Sequence, residues 1–305
     1  MGINQHPKDP AKAYIFAGLA VLFWSTASSA FKLTLDHINF IQIVFIATLT
    51  SCLALFSVLL LQGNLNLLRV STRDELLRSA LLGLLNPFLY YIVLLKAYSI
   101  LPAQVAQPLN FTWPIMLVIL SVPLLNQKIP VLSLAAMFVS FAGVYLISSQ
   151  GNPFDFNFTD PLGISLALGS SVIWALFWIF NVRDPRNEVI KLFLSFLFAV
   201  FYIGVIMVFS PGPGAFNLYG ITGAVYIGLF EMGFTFVFWL KALQYAVSSD
   251  KVSNMIYITP FFALVLINLL VGERIYITTF GGLVLIVTGM ILQKIFSSYH
   301  DSGRH

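Results

Sequence analysis

Ten stretches of this chain are each long and apolar enough to cross a bilayer, and nothing else in it constrains the fold as strongly. They run 13–31, 40–61, 76–97, 103–124, 131–149, 162–181, 190–209, 219–241, 252–271 and 276–296. About 20 apolar residues in a helix span the hydrocarbon core. In lipid the backbone must satisfy its own hydrogen bonds, so such runs are read as helices. Of the 305 residues, 59% are hydrophobic and 9% charged; a soluble domain carries about a quarter charged residues. No water-soluble fold could bury this surface. The expected class is an all-α integral membrane protein. The tails, Met1 to Lys12 and Ser297 to His305, are too short to form a soluble domain.

The second half of the sequence repeats the first. Lys96-Ala97 matches Lys241-Ala242 at an offset of 145. Pro114 matches Pro260, Gln127-Lys128 matches Glu273-Arg274, and Gly143 matches Gly289, all at 146. Trp24 matches Trp174 at 150. Each half holds five apolar segments, and an odd number turns the second half over relative to the first. The expected organisation is two inverted five-helix repeats, residues 1–149 and 162–305, joined by a linker at 150–161. Inverted repeats of this kind are a signature of secondary transporters, with a site near mid-membrane.

Basic residues set the expected orientation. With the N-terminus inside, the inner segments hold 13 of the 16 Lys and Arg residues; only Lys32, Lys96 and Arg274 fall outside. Inner loops are enriched in Lys and Arg, so both termini are expected on the cytoplasmic side of the cell membrane. The net charge of +4 thus reflects topology, not nucleic-acid binding. Small residues Thr26 to Ala30 after Lys8 and Lys12 mimic a signal peptide. The run 13–31 is long enough to span and completes the first repeat, so it is read as a retained helix. The single cysteine, Cys52, permits no intramolecular disulfide and is read as a core residue. The sequons at Asn110 and Asn157 are attributed to chance.

Segments two, five, seven and ten are nearly uniform in apolar residues, and their glycines are read as helix contacts. Segments four and nine differ. Each carries an interior proline, Pro114 and Pro260, which removes a backbone hydrogen bond and kinks a helix. Interrupted segments at matched positions point to a transport site; a kink that only shapes packing is the plainer reading. Gln104, Gln107 and Asn110 share a helical face with Phe111 and Pro114. Asn254, Tyr257, Phe261 and Asn268 follow a 3.6-residue period. Unpaired polar groups are costly in hydrocarbon, so both faces are expected to point inward, toward a cavity or toward partner helices.

Segments one, three, six and eight complete the expected lining with Trp24, Asn86, Tyr90, Trp174, Trp178 and Glu231. Mid-helix tryptophans also serve as plain packing. Glu231 is the sharpest residue, because charges at this depth are rare and usually functional. It could hold a substrate ammonium, carry a coupling proton, or be structural. Its repeat mate is Asn86. Lys96 and Lys241 are expected to snorkel, and Glu273 and Arg274 to form a capping or exposed ion pair. The expected substrate-binding set is Trp24, Asn86, Tyr90, Gln107, Asn110, Phe111, Trp174, Trp178, Glu231, Tyr257 and Phe261, lining one central cavity between the repeats.

Three groups of residues also carry a family resemblance: Ala242 to Lys251, Thr259-Pro260 and Gly272-Glu273-Arg274. In the first half they correspond to Ala97 to Gln104, Trp113-Pro114 and Asn126-Gln127-Lys128. With ten helices and short loops, these resemble the drug/metabolite transporter superfamily, specifically its EamA-type members. Asn126-Gln127 departs from the family's Gly-Glu, which removes the charged residue there. The stretch Leu109 to Pro114 is similar to aromatic amino-acid exporters. The resemblance implies a secondary transporter, an exporter of amino acids or related amphiphilic metabolites working by alternating access. Nucleosides, adenosyl compounds and drugs are alternative substrates; a membrane-embedded enzyme or a channel fits less well. No His cluster, acidic pair or phosphate loop suggests catalysis. The expected partners are a small-molecule substrate, the lipid bilayer and a coupling proton, with no cofactor, metal or nucleic acid.

Overall fold

A computed structural model describes residues 8–302, apart from 70, 127–128, 155–159, 210–216, 248–251 and 253. Ten helical spans among the described residues are long and apolar enough to cross a membrane: Pro10–Leu35, Phe40–Leu61, Arg73–Ile100, Ala103–Leu125, Val131–Ser148, Pro161–Val182, Glu188–Phe209, Leu218–Tyr245, Asn254–Val271 and Ile277–Phe296. They match the ten sequence segments, with the first, third, sixth and eighth extended at both ends. Asn157 and the matched pair Gln127-Lys128 lie outside the described residues.

Polar residues at the span ends explain where helices begin. Asp9 caps the first span, accepting from Lys12 N at 3.1 Å, with Pro10 in the first turn; proline there gives up an amide that would have no helical partner. Asn39 with Gln42 and Thr72 with Glu75 form reciprocal capping boxes at the second and third spans. Each satisfies two amides that the helix start leaves open. The fourth span ends at Asn126 in the left-handed region, φ 53°, a conformation asparagine tolerates better than most residues.

The described residues form two compact units. The first comprises residues 1–88 and 186–266, the second 89–185 and 267–305. Each draws spans from both sequence halves. In the first unit, Phe16, Phe238, Phe23 and Phe230 stack in series between the first and eighth spans, with ring centroids 4.8 to 6.3 Å apart. Asp9 N donates to Tyr245 O at 3.0 Å, tying the start of the first span to the end of the eighth. Arg186 reaches Ser79 Oγ at 2.9 Å, and Tyr202 OH donates to Ala80 O at 3.1 Å, linking the seventh span to the third.

In the second unit, the fifth and tenth spans pack backbone to backbone. Gly143 faces the Gly282 carbonyl, a Cβ on Gly282 would stand 2.6 Å from the Gly143 carbonyl oxygen, and Gly289 abuts Ser140. Small residues allow this approach where lipid supplies no hydrophobic drive between helices.

Candidate functional site

Four of the ten spans are interrupted, at places that correspond between the sequence halves. The third span loosens into a π-helical turn at Leu84–Leu89, where Asn86 is extended, φ −142° and ψ 124°. The eighth does so at Ile227–Gly233, and Gly233 is also non-helical, φ −99° and ψ −92°. The two turns hold Asn86 and Glu231, 145 residues apart. The fourth span breaks between Ala103–Asn110 and Trp113–Leu125, so Pro114 opens a new helix instead of bending one. Likewise Pro260 lies in the first turn of Thr259–Leu266, after a 3₁₀ turn at Asn254–Ile258. Proline suits a first turn because no amide is needed there. The ninth span then becomes π-helical at Ile267–Val271. These changes of pitch undo the 3.6-residue period expected from Asn254 to Asn268. Asn268 is exposed and donates to Glu273 O at 3.0 Å.

The structure brings Tyr90, Asn110 and Trp174 together in the second unit. Tyr90 OH donates to Asn110 Oδ1 at 3.2 Å, Asn110 Nδ2 to Ser170 Oγ at 2.8 Å, and Ser170 Oγ to Ala167 O at 2.6 Å. Every link has its donor and acceptor assigned, which fixes the amide's orientation. The Tyr90 ring lies 4.5 Å from that of Trp174, and Trp178 sits edge-on to Trp174 at 6.0 Å. Phe111 is buried at the break in the fourth span, and beside it Thr112 Oγ1 approaches Ser171 Oγ at 3.2 Å. Two polar atoms remain open. Trp178 Nε1 and Gln107 Oε1 are buried without a hydrogen-bond partner among the described residues. Ser170 escaped the sequence reading, although it lies one turn before Trp174 on the same face.

Gln104 does not join this group. Its side chain donates to Arg274 O at 2.9 Å and accepts from Tyr276 N at 2.8 Å. Glu273, read from sequence as part of an ion pair, instead accepts from the amides of Ala103 and Gln104. Its carboxylate caps the fourth span, where a negative group is favoured.

The first unit holds the other five expected residues. Trp24 packs against Trp239 at 5.5 Å and edge-on to Phe236 at 6.1 Å. One residue on, Ser25 Oγ lies 3.2 Å from Thr259 O, at the restart of the ninth span. Tyr257 and Phe261 flank that restart and are half-buried. Asn86 is wholly buried and Glu231 9% exposed. Lys241, expected to snorkel, lies 5.5 Å over the Phe16 ring, a position where ammonium and ring attract.

A family model described as the EamA-like transporter family matches residues 11–149 and 161–293. The chain belongs to that family. It is therefore a multi-pass membrane transporter. Among its relatives is an uncharacterized transporter of Clostridium kluyveri, 25% identical over 291 residues, covering 92% of each chain. An uncharacterized transporter of Archaeoglobus fulgidus is 25% identical over 290 residues, with 92% of this chain and 98% of that one covered. A solved crystal structure superposes with a TM-score of 0.65 at 18% identity, covering 95% of this chain and 98% of the other. That likeness shows the fold.

Proposed function

We propose that this family member exports amino acids or related amphiphilic metabolites by alternating access. The observation that carries the reading is the linked set Tyr90–Asn110–Ser170 with Trp174 and Trp178 beside it. It presents aromatic faces together with amide and hydroxyl groups at the interrupted fourth span. Aromatic walls with a few placed polar groups are what small-molecule sites use. Trp178 Nε1 is a donor for a ligand carboxylate, and Gln107 Oε1 an acceptor for an amine. Phe111 adds apolar surface at the helix break. In the first unit Glu231 supplies negative charge for a cation, a substrate ammonium or a coupling proton, with Trp24, Asn86, Tyr257 and Phe261 as further substrate contacts.

The same reading takes 1–149 and 162–305 as inverted repeats. The separate family matches at 11–149 and 161–293 support that division. It also takes both termini as cytoplasmic in the cell membrane, in line with the bias of basic residues.

A thermal-shift screen of the purified protein tests the substrate class, because a ligand stabilises the folded state by mass action. Amino acids with apolar or aromatic side chains should raise Tm saturably, and Trp178→Ala should weaken the response. A response to nucleosides or organic cations with none to amino acids overturns the reading.

A further inference from the structure

One backbone carbonyl in the second unit sets the polarity of three side chains. Ser170 Oγ donates to Ala167 O at 2.6 Å, and a carbonyl can only accept. Ser170 therefore meets Asn110 as an acceptor. Asn110 Nδ2 donates to it at 2.8 Å, which turns Oδ1 toward Tyr90. Tyr90 OH donates to that oxygen at 3.2 Å. Its single proton is then spent, and any further partner can meet the Tyr90 oxygen only as a donor. Turning the amide over would set Oδ1 against a serine oxygen whose proton is already used.

A second acceptor lies close by. Gln107 sits one turn before Asn110 on the same face of Ala103–Asn110. It is 8% exposed, and its Oε1 has no hydrogen-bond partner among the described residues. A buried acceptor left open is costly. Residues three apart on a helix stand about 5–6 Å apart at Cβ. One ammonium with N–H···O bonds of about 2.9 Å spans about 5 Å between two acceptors. The Trp174 ring, 4.5 Å from that of Tyr90, adds a face that attracts cations. An aromatic face alone takes a quaternary ammonium as readily as a primary one. Two oxygens that only accept require N–H bonds.

Charge narrows the ligand further. Tyr90, Gln107, Asn110, Ser170 and Trp174 are all uncharged, and an unpaired charge is expensive away from water. A zwitterion brings its own carboxylate. Trp178 Nε1 is buried without a partner and its ring lies edge-on to Trp174, so it is a donor for that carboxylate.

We propose that Ser170, acting through Asn110, fixes Tyr90 as an acceptor, and that Tyr90 and Gln107 select zwitterions whose ammonium keeps its N–H bonds. The proposal rests on reading this set as the transport site, and it names the ligand chemistry that the site selects. Ser170 is a positioning residue.

The test measures Kd by titration calorimetry on the purified full-length chain, with phenylalanine and its N,N,N-trimethyl derivative as probes. Phenylalanine should bind at least about tenfold more tightly, as expected for a hydrogen bond to a charged group. Tyr90→Phe keeps the ring and removes the oxygen. It should weaken phenylalanine about tenfold, leave the trimethyl compound nearly unchanged, and so erase most of the preference. Ser170→Ala, a small truncation, should reduce the preference in the same direction. A serine that only supported the fold would weaken both probes alike. Equal binding of the two probes by the wild type overturns the proposal and leaves amino-acid export standing. A preference that survives both Tyr90→Phe and Ser170→Ala does the same, because exclusion of the larger head group by size would not depend on either oxygen. Binding of neither probe overturns the proposal together with the reading of the site.

Discussion

Glu273 and Gln104 hold each other in place: the Glu273 carboxylate accepts from Gln104 N at 3.0 Å, while the Gln104 side chain bonds Arg274 O and Tyr276 N on the far side of the carboxylate's own loop. A second amide, Ala103 N, reaches the same carboxylate at 2.7 Å. Glu273→Ala removes the cap of the fourth span. It should cost about 1 kcal/mol, the ordinary value of a lost N-cap, seen as a lower Tm. Gln104→Ala should be non-additive with it, because groups in one network couple. Strict additivity in the double variant would show that the two act separately.

The fifth and tenth spans leave no room at Gly143, which faces the Gly282 carbonyl and Ile286. Gly143→Leu must push the helices apart. The expected cost is about 1–3 kcal/mol, the range for overpacking, read as a fall in Tm. Gly169→Leu has open space around its Cβ and serves as the comparison; an equal loss from both would remove the packing explanation.

Much of the fold was legible because hydrophobic runs of this length have few alternatives in lipid. The matched prolines Pro114 and Pro260 marked two of the places where spans lose regularity, whereas the breaks at Asn86 and beside Glu231 carried no expectation from sequence. The form of the breaks was not legible: a proline can bend a helix or start one, and only the surrounding backbone decides. Gln104 follows the plainer of its two readings, pairing with protein groups instead of facing a cavity. Its spacing with Gln107 and Asn110 is helical, yet its partners lie about 170 residues away, a distance no local pattern reveals. Ser170 was passed over because a serine in a helix usually bonds its own backbone, as it does here to Ala167 as well.

The orientation inferred from basic residues is open to a labelling test in a Cys52→Ala background. Asn152, in a loop, and Asp74, in the first turn of the third span, are both exposed and lie at ends assigned to opposite faces. In intact cells an impermeant thiol reagent should label Asn152→Cys and spare Asp74→Cys until the membrane is opened. The reverse pattern would invert the topology.

At the start of the first span, the Lys12 backbone amide and ammonium hold the Asp9 carboxyl below its ordinary value of 3.8. The folded value is the lower one, so the contribution is present above pH 3.8 and is lost as pH falls through the folded value. Amide exchange in the first turn should accelerate in that acid range. In Asp9→Ala it should already be fast at neutral pH and show no such acid step.

Transport itself is the central claim, and counterflow in proteoliposomes tests it most directly. Vesicles loaded with an unlabelled amino acid that scores in the thermal screen should concentrate the labelled compound transiently. The overshoot should saturate with external substrate and vanish with Glu231→Gln, a variant that preserves size and hydrogen bonding. Saturable overshoot in the wild type, absent from a folded Glu231→Gln protein, is the predicted result. Linear, non-saturable flux without overshoot, or wild-type overshoot in the Glu231→Gln protein, would contradict the account.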